Sequence, residues 1–245
     1  MNLHFNGLDW GSLAGRSQAL LPLADSLPGL RHLAWSGVLA AVVLLLARIW
    51  QRRRGTAQPL GGGAIALAMG SMAWAWAWAP GAMGGAYWLG LAFQTPSAVA
   101  TLLAFSLVAR ECRATWQVGG GGRAPASASG EPNPWTLIYV GGGVVLGWVL
   151  LLDTFALFPV SVYAWGFQPP ALACVLALAL APWVLAGRAA WRGPGLVQVW
   201  AALALFGLAR WPSGNVWDAL LDPWLWLLLQ GQLLRGLTPR WRSPG

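Results

Sequence analysis

The feature that most constrains this chain is a series of seven apolar runs, each near the length that crosses a bilayer. The runs occupy residues 33–50, 60–79, 86–109, 135–152, 170–187, 196–209 and 216–234. Charged residues make up only 9% of the chain, against roughly 25% in a typical soluble domain. Since a helix of about 20 apolar residues spans the hydrocarbon core, the sequence predicts an all-α polytopic membrane bundle of about seven transmembrane helices.

The placement of arginine predicts the orientation of this bundle. The chain has 15 arginines and no lysine, and 12 of the arginines lie within 48–54, 110–123, 188–192 and 235–242. The other three, Arg16, Arg31 and Arg210, lie on the opposite side. Because positive residues are retained in the cytoplasm, we expect the N-terminus out and the C-terminus in, in a bacterial inner (cytoplasmic) membrane.

One alternative topology stays open at the end of the chain. The last two apolar runs could form a re-entrant hairpin, in which Asp222 is the N-cap of a helix that begins at Pro223. That arrangement would leave the C-terminal arginines outside, which the distribution of charge disfavours.

The whole chain, 1–245, is predicted to be a single membrane domain. In order, its segments are 1–29, an extracytoplasmic N-terminal segment; 30–110, three spans; 111–134, a flexible cytoplasmic linker; 135–237, four spans; and 238–245, a cytoplasmic tail. The linker is assigned from its Gly, Ala, Ser and Pro content, which is typical of flexible connections.

The composition excludes several classes of function. Without lysine the chain cannot form a retinal or pyridoxal Schiff base or a Walker-type phosphate loop. His4 and His32 are the only histidines and neither lies within a span, which argues against a bis-histidine haem. No Cys, His or carboxylate group has zinc-ligand spacing. We therefore expect no cofactor and no metal.

The expected partners follow from where the charge lies. The formal charge of +8 comes from arginines that flank apolar runs and not from a basic face, so nucleic acid is not expected. The expected partners are the lipid bilayer and a membrane protein, either a different chain or a second copy.

Three carboxylates are the candidate catalytic residues. Asp153, Asp218 and Asp222 all map to the outer side of the predicted bundle, together with His32 and Arg210. Asp218 and Asp222 are four residues apart and share a helix face if the helix continues through both. Such groups could act as general bases or metal ligands. The favoured interpretation is that Asp218 and Asp222 cap the seventh helix, with Arg210 as a partly paired counter-charge, and that Asp153 is a solvated residue at the end of a span.

A polar patch interrupts the third apolar run. Gln94, Thr95, Ser97 and Thr101 surround Pro96, which is predicted to kink the helix and free a backbone carbonyl. These residues either line a polar path or hydrogen-bond a neighbouring helix, and the second interpretation is favoured.

Two glycines in the fourth run predict a close helix contact. Gly143 and Gly147 form a small-xxx-small face on which another helix can approach. Replacing Gly143 with Leu is expected to lower the stability of the bundle, whereas the same change at Val145 is expected to be tolerated.

These exclusions favour a non-catalytic accessory or scaffolding subunit of a membrane or envelope assembly. A small transporter that uses the Pro96 kink is the alternative, although no acidic residue lies at mid-membrane to couple transport to protons or sodium. An enzyme that acts at the outer leaflet on a lipid-linked substrate, through Asp153, Asp218 and Asp222, is the second alternative.

Overall fold

The computed structural model describes residues 27–53, 59–119, 134–186 and 194–237, and no strand occurs within these ranges. The all-helical class predicted from the sequence is confirmed for this part of the chain. The helices are α1 Leu27–Arg53, α2 Pro59–Ala77, α3 Gly85–Ala92, α4 Ala98–Gly119, α5 Pro134–Thr154, α6 Val162–Trp165, α7 Pro169–Ala186, α8 Pro194–Ala209, α9 Val216–Leu220 and α10 Pro223–Leu237. A 3₁₀ turn, Gly81–Met83, precedes α3.

Helix α4 is the central helix of the fold. It packs against α1 and α2 on one side and against α8 and α9 on the other. Ala98 and Ala104 are buried along it, and such small side chains let neighbouring helices approach closely. The core beside α1 contains Leu44, and the core beside α8 and α9 contains Phe206 and Val216. The two halves of the chain are therefore joined through α4.

Helices α5 and α7 lie at the periphery. Helix α10 packs against α5, and α7 packs against α8. On α7, Leu178, Val184 and Leu185 are 70%, 71% and 73% exposed. Only 11% of the apolar segment Thr136–Thr154 of α5 is buried. These helices therefore present large apolar surfaces that the described residues do not cover.

The third apolar run is two helices and not one kinked helix, so the prediction of a continuous helix through Pro96 is wrong. Helix α3 ends at Ala92, the backbone of the next residue, Phe93, is extended, and α4 begins at Ala98. Pro96 lacks a donor N–H and disfavours helical geometry at the residue before it. Ser97 then caps the new helix, because its Oγ accepts the N–H of Ala100 at 3.1 Å.

The seventh run is also broken, so the condition for Asp218 and Asp222 to share a helix face is not met, and the helix start at Asp222–Pro223 that the sequence offered as an alternative is observed. Helix α9 ends at Leu220, and the next residue, Leu221, has an extended backbone with φ −141° and ψ 133°. Helix α10 then begins at Pro223, whose ring suits the first helical position. Asp222 is its N-cap, accepting the N–H of Leu225 at 2.8 Å. The two carboxylates consequently do not share a helix face.

Two of the described helices are long and apolar enough to cross a membrane, over Leu27–Gln51 and Thr136–Thr154. Two shorter apolar helices cover Pro169–Leu185 and Gly195–Ala209. The predicted linker 111–134 is helical as far as Gly119. The rest of that linker up to residue 133, most of the N-terminal segment 1–29 and the tail 238–245 lie outside the described residues.

Candidate functional site

The candidate site residues lie at the end of the bundle where α1 begins, hereafter the Leu27 end. At this end α5 and α8 finish and α4 and α10 start. The three candidate carboxylates are all found here, and each accepts from different donor groups, although Tyr163 donates its N–H to Asp153 and its hydroxyl to Asp218.

Asp153, in the last turn of α5, holds the start of α6. Its Oδ1 accepts the N–H of Val162 at 3.1 Å, and its Oδ2 accepts the N–H of Tyr163 at 2.8 Å. Ser161 Oγ donates to Oδ2 at 3.0 Å and accepts the N–H of Ala164 at 3.2 Å. Asp153 therefore satisfies backbone donors that a short helix would otherwise leave unpaired.

Asp218, in α9, accepts two hydroxyl groups on one oxygen. Tyr163 Oη donates to Asp218 Oδ2 at 2.7 Å, and Ser213 Oγ makes a short hydrogen bond to the same atom. Burial and the hydrogen bond to Asp218 raise the pKa of Tyr163 above its usual value. The phenol stays protonated at neutral pH and keeps donating, so Tyr163 connects Asp153, through its N–H, to Asp218, through its hydroxyl.

Asn215 locks the segment before α9 onto the segment around α6. Its side chain is fully buried, donates to Tyr163 O at 2.9 Å and accepts the N–H of Trp217 at 2.9 Å. Trp217 Nε1 in turn donates to Val162 O at 2.9 Å. Gly166 makes this contact possible, since a Cβ there would lie 2.0 Å from Asn215 Oδ1. The two segments form one polar network.

Asp222 joins the starts of two helices. Its Oδ1 accepts the N–H of Leu225 in α10, and its Oδ2 accepts the N–H of Ser97 at 2.8 Å, immediately before α4. A carboxylate interacts favourably with the positive end of a helix dipole. One side chain thus stabilises the N-terminal ends of α4 and α10. It also links the break between α3 and α4 to the break between α9 and α10.

The other residues of the polar patch have different surroundings. Gln94 is exposed, Thr95 is half-buried and Pro96 is buried. Thr101, one turn into α4, is 4% exposed and its Oγ1 has no hydrogen-bond partner among the described residues. Of the predicted patch, only Ser97 contacts a candidate carboxylate.

Arg210 does not pair with Asp218 or Asp222, so the expected counter-charge is absent. The ion pair found among the described residues joins Arg48 and Glu111. Arg210 follows the end of α8 with φ +53°, and its guanidinium lies 5.2 Å from the ring centroid of Phe206. The side chain makes a cation–π contact instead.

His32 is also separate from the carboxylates. Its Nδ1 lies 2.7 Å from Pro28 O, and its ring lies 5.7 Å from that of Trp78. Trp78 Nε1 donates to Ser36 Oγ at 3.2 Å. His32 therefore belongs to the contact between α1 and the end of α2.

Gly143 and Gly147 lie where α10 packs on α5. A Cβ at Gly143 would lie 2.6 Å from Leu229 Cδ1, and one at Gly147 would lie 2.2 Å from Trp226 Cδ1. Trp226 Nε1 donates to Val144 O at 3.1 Å. The glycines thus allow a tryptophan to reach the backbone of the facing helix.

Sequence reasoning missed the partners of the carboxylates. Tyr163, Ser213 and Asn215 were not candidates, although Ser161 and Asn215 each directly precede a short helix, a typical N-cap position. Each of the three carboxylates already accepts hydrogen bonds from its own set of donor groups. Within the described ranges, no three His, Cys, Asp or Glu residues are grouped as metal ligands.

Comparison of the chain with family models, curated proteins and solved structures found no match.

Proposed function

We propose that this protein is a multi-pass membrane protein of a bacterial inner membrane and serves as a non-catalytic accessory or scaffolding subunit of a membrane assembly. Each of the seven apolar runs overlaps one described helix or a pair of interrupted helices. The alternation of arginine supports seven crossings with the N-terminus out. Two of those crossings, the third and the seventh, contain the breaks before Ser97 and at Asp222.

The separate hydrogen-bond partners of the three candidate carboxylates carry the functional part of this proposal. Asp153 caps α6, Asp218 holds two hydroxyls and Asp222 caps α10 while holding Ser97. An enzyme that used these groups together would need the carboxylates to converge on one position where a substrate can sit. Carboxylates engaged in this way support a structural role and do not favour the outer-leaflet enzyme.

The uncovered faces of α5 and α7 supply the surface for partners. Val145 and Ile138 on α5 and Val184 on α7 are among the exposed large apolar residues. In a bilayer such faces contact lipid or the helices of another protein. Transmembrane helices associate through close van der Waals packing, which small residues allow. The proposal assigns part of this surface to a membrane-protein partner or to a second copy.

Asp218→Asn is the variant that separates a scaffold from an enzyme. Both hydroxyl donors reach one oxygen of Asp218, so an amide oxygen placed there keeps both bonds while the charge is lost. We expect the variant to restore a deletion strain as well as the wild-type gene does. Failure to restore it at normal protein abundance would support the enzyme.

Photo-crosslinking from α7 tests the partner surface. A photoreactive phenylalanine analogue at exposed Val184 is expected to give a discrete protein adduct in intact membranes. The same analogue at Ala179, which is 2% exposed on the same helix, should give no intermolecular adduct and serves as the control. Only lipid adducts from Val184 would count against a protein partner at this face.

The meeting of two interrupted helices favours a transporter as the second candidate. In many transporters, broken helices place their N-termini at the substrate site. Here the starts of α4 and α10 meet at Ser97 and Asp222, and the buried, unpartnered Thr101 Oγ1 lies one turn away along α4.

Water access at Thr101 discriminates between the two functions. In a chain carrying Cys112→Ser and Cys174→Ser, Thr101→Cys should resist a membrane-impermeant thiol reagent if the protein is a scaffold. Labelling from either side of the membrane would support a transport path, and Gln94→Cys, at an exposed position, is the positive control.

A further inference from the structure

The segment between α5 and α6, residues 155–160 and hereafter the 155–160 loop, exposes large apolar side chains at the Leu27 end. More than a third of the surface is exposed at each of its four large apolar residues, Phe155, Leu157, Phe158 and Val160. Residues 154–187 include no Asp, Glu, Lys, Arg or His. A contiguous exposed apolar surface marks a place where a protein binds another protein, a ligand or a membrane.

Both ends of the 155–160 loop are tied to the last turn of α5. The N–H of Ala156 donates to Asp153 O at 2.9 Å, and the N–H of Leu157 donates to Leu152 O at 3.3 Å. With the left-handed backbone of Ala156, these two bonds form a Schellman motif, which closes the helix. The carboxylate of Asp153 then accepts the first two N–H groups of α6. Asp153 therefore holds the beginning and the end of the loop.

Most backbone donors of this segment are bonded within it. The N–H groups of residues 155–157 bond to the last turn of α5, and those of residues 162–168 bond to Asp153, to Ser161 or to carbonyls around α6. Pro159 has no N–H. In the described part of the chain, the N–H groups left without an acceptor are those of Phe158, Val160 and Ser161. Since unpaired backbone groups are costly in hydrocarbon, this segment can enter lipid as far as the headgroup boundary, where water and ester oxygens accept the remaining donors.

The exposed apolar face of α5 leads directly into the 155–160 loop. Val145, Trp148 and Leu152 are exposed at helical spacing, and Phe155 follows Leu152 by three residues. In the proposed orientation this face lies in the membrane and the Leu27 end lies at the outer surface. The surroundings of the loop are then the lipids of the outer leaflet.

We propose that the 155–160 loop inserts into the outer leaflet and binds the boundary between lipid headgroups and acyl chains, with Asp153 as the positioning residue that holds its shape. The inference rests on the proposed membrane location and orientation. Apolar side chains of interfacial segments lie about 5–10 Å into this boundary. Because the loop carries no charge, its insertion depends on its apolar side chains and is the same in zwitterionic and anionic lipid.

Fluorescence quenching in nanodiscs that hold one chain each tests the insertion. A fluorescent label is attached to Val160→Cys in a chain that also carries Cys112→Ser and Cys174→Ser. Phosphatidylcholine with a nitroxide near the carboxyl end of its acyl chain is expected to quench this label several-fold more than aqueous iodide does. Gln94→Cys, at an exposed polar position of the same end, should show the reverse preference and is the control. If Val160→Cys does not fold, Leu157→Cys replaces it.

The outcomes separate lipid from a protein at this loop. One chain in each nanodisc leaves lipid as its only neighbour, so nitroxide quenching there supports the lipid assignment. A label that iodide reaches in nanodiscs but not in native membranes would show that another protein covers the loop and would overturn the assignment. Iodide access in both, in a chain inserted with the expected topology, would overturn it too. A chain that does not enter the bilayer would instead overturn the proposed membrane location.

A matched pair of substitutions tests Asp153 in the labelled chain. In Asp153→Asn the amide nitrogen cannot accept, so one of the two N–H groups at the start of α6 loses its acceptor. This variant is expected to lose most of its nitroxide quenching. Thr154→Val, at the next residue, removes only a hydroxyl that donates to Leu151 O within α5 and should keep it. Unchanged quenching in Asp153→Asn, or equal loss in the two variants, would overturn the positioning role.

Discussion

At the scale of single residues, Asp218 and Asp222 use their carboxylate oxygens in different ways. Asp218 receives both of its hydroxyl donors on Oδ2. Asp222 receives a different backbone N–H on each oxygen, from Leu225 and from Ser97. An amide can imitate a carboxylate that accepts on one oxygen but not one that accepts on both, because the amide nitrogen is a donor.

We therefore predict that Asp222→Asn destabilises the protein more than Asp218→Asn does. In Asp222→Asn an NH₂ group faces the N–H of either Ser97 or Leu225 and leaves it unpaired, at a cost of about 1–3 kcal/mol. The Tm of each purified variant in mild detergent measures the difference. Equal losses of Tm for the two variants would contradict the bonding pattern at Asp222.

The backbone conformation of Ala156 predicts the effect of another substitution. It follows α5 with φ +53°, a left-handed conformation that costs an L-residue about 1–2 kcal/mol. Ala156→Gly should raise the Tm, with a net gain of up to about 1 kcal/mol after the entropy of glycine is subtracted. Ala109→Gly, in the exposed interior of α4, should instead cost about 1 kcal/mol. A lower Tm for Ala156→Gly would argue against the left-handed conformation.

At the scale of helices, the contacts of α5 and α10 depend on glycines that are not equivalent. Gly147 faces Trp226, whose Nε1 is held by Val144 O, whereas Gly143 faces the flexible end of Leu229. Gly141 and Gly142 have nothing within 4 Å of an added Cβ. The same run of glycines thus contains both packed and open positions.

Gly147→Ala is expected to lower the Tm because the new methyl group displaces Trp226 and breaks its hydrogen bond, at a cost of about 1–3 kcal/mol. Gly141→Ala adds a methyl group that meets no atom within 4 Å. It should raise the Tm, since Ala is favoured over Gly in a helix by about 1 kcal/mol. A tolerated Gly147→Ala would mean that α10 does not pack here in solution.

At the scale of the whole molecule, the seven runs and their arginines make one prediction about topology. Reporter fusions after residue 120 and at the C-terminus should both report the cytoplasm, since the flanking segments 110–123 and 235–242 each carry three arginines. A fusion in the segment between α5 and α7 should report the opposite side. A periplasmic signal at the C-terminus would favour the re-entrant hairpin for the last two runs.

Much of the helical framework could be predicted from local sequence. The break at Asp222–Pro223 was predicted only within the alternative hairpin topology, and the break at Pro96 was predicted as a kink. Pro96 and Asp222–Pro223 were visible signals, yet proline before or within an apolar run is compatible with a kinked helix as well as with a break. What stabilises the breaks is non-local, because the free N–H of Ser97 is satisfied by Asp222, 125 residues away. Likewise, Arg210 was close enough in sequence to pair with Asp218, but its backbone directs it onto Phe206.

The sequence alone determined that the described chain is helical and where its apolar segments lie, because hydropathy and helix-breaking residues act locally. The tertiary structure alone decided the roles of the polar residues. Whether Asp218, Asp222 or Ser97 is free or engaged depends on which helix ends meet, as Tyr163 meets Asp218 from another part of the chain. Few polar groups are available at this end of the bundle, and each buried donor needs an acceptor. The carboxylates therefore accept hydrogen bonds from helix starts and loops in other parts of the chain.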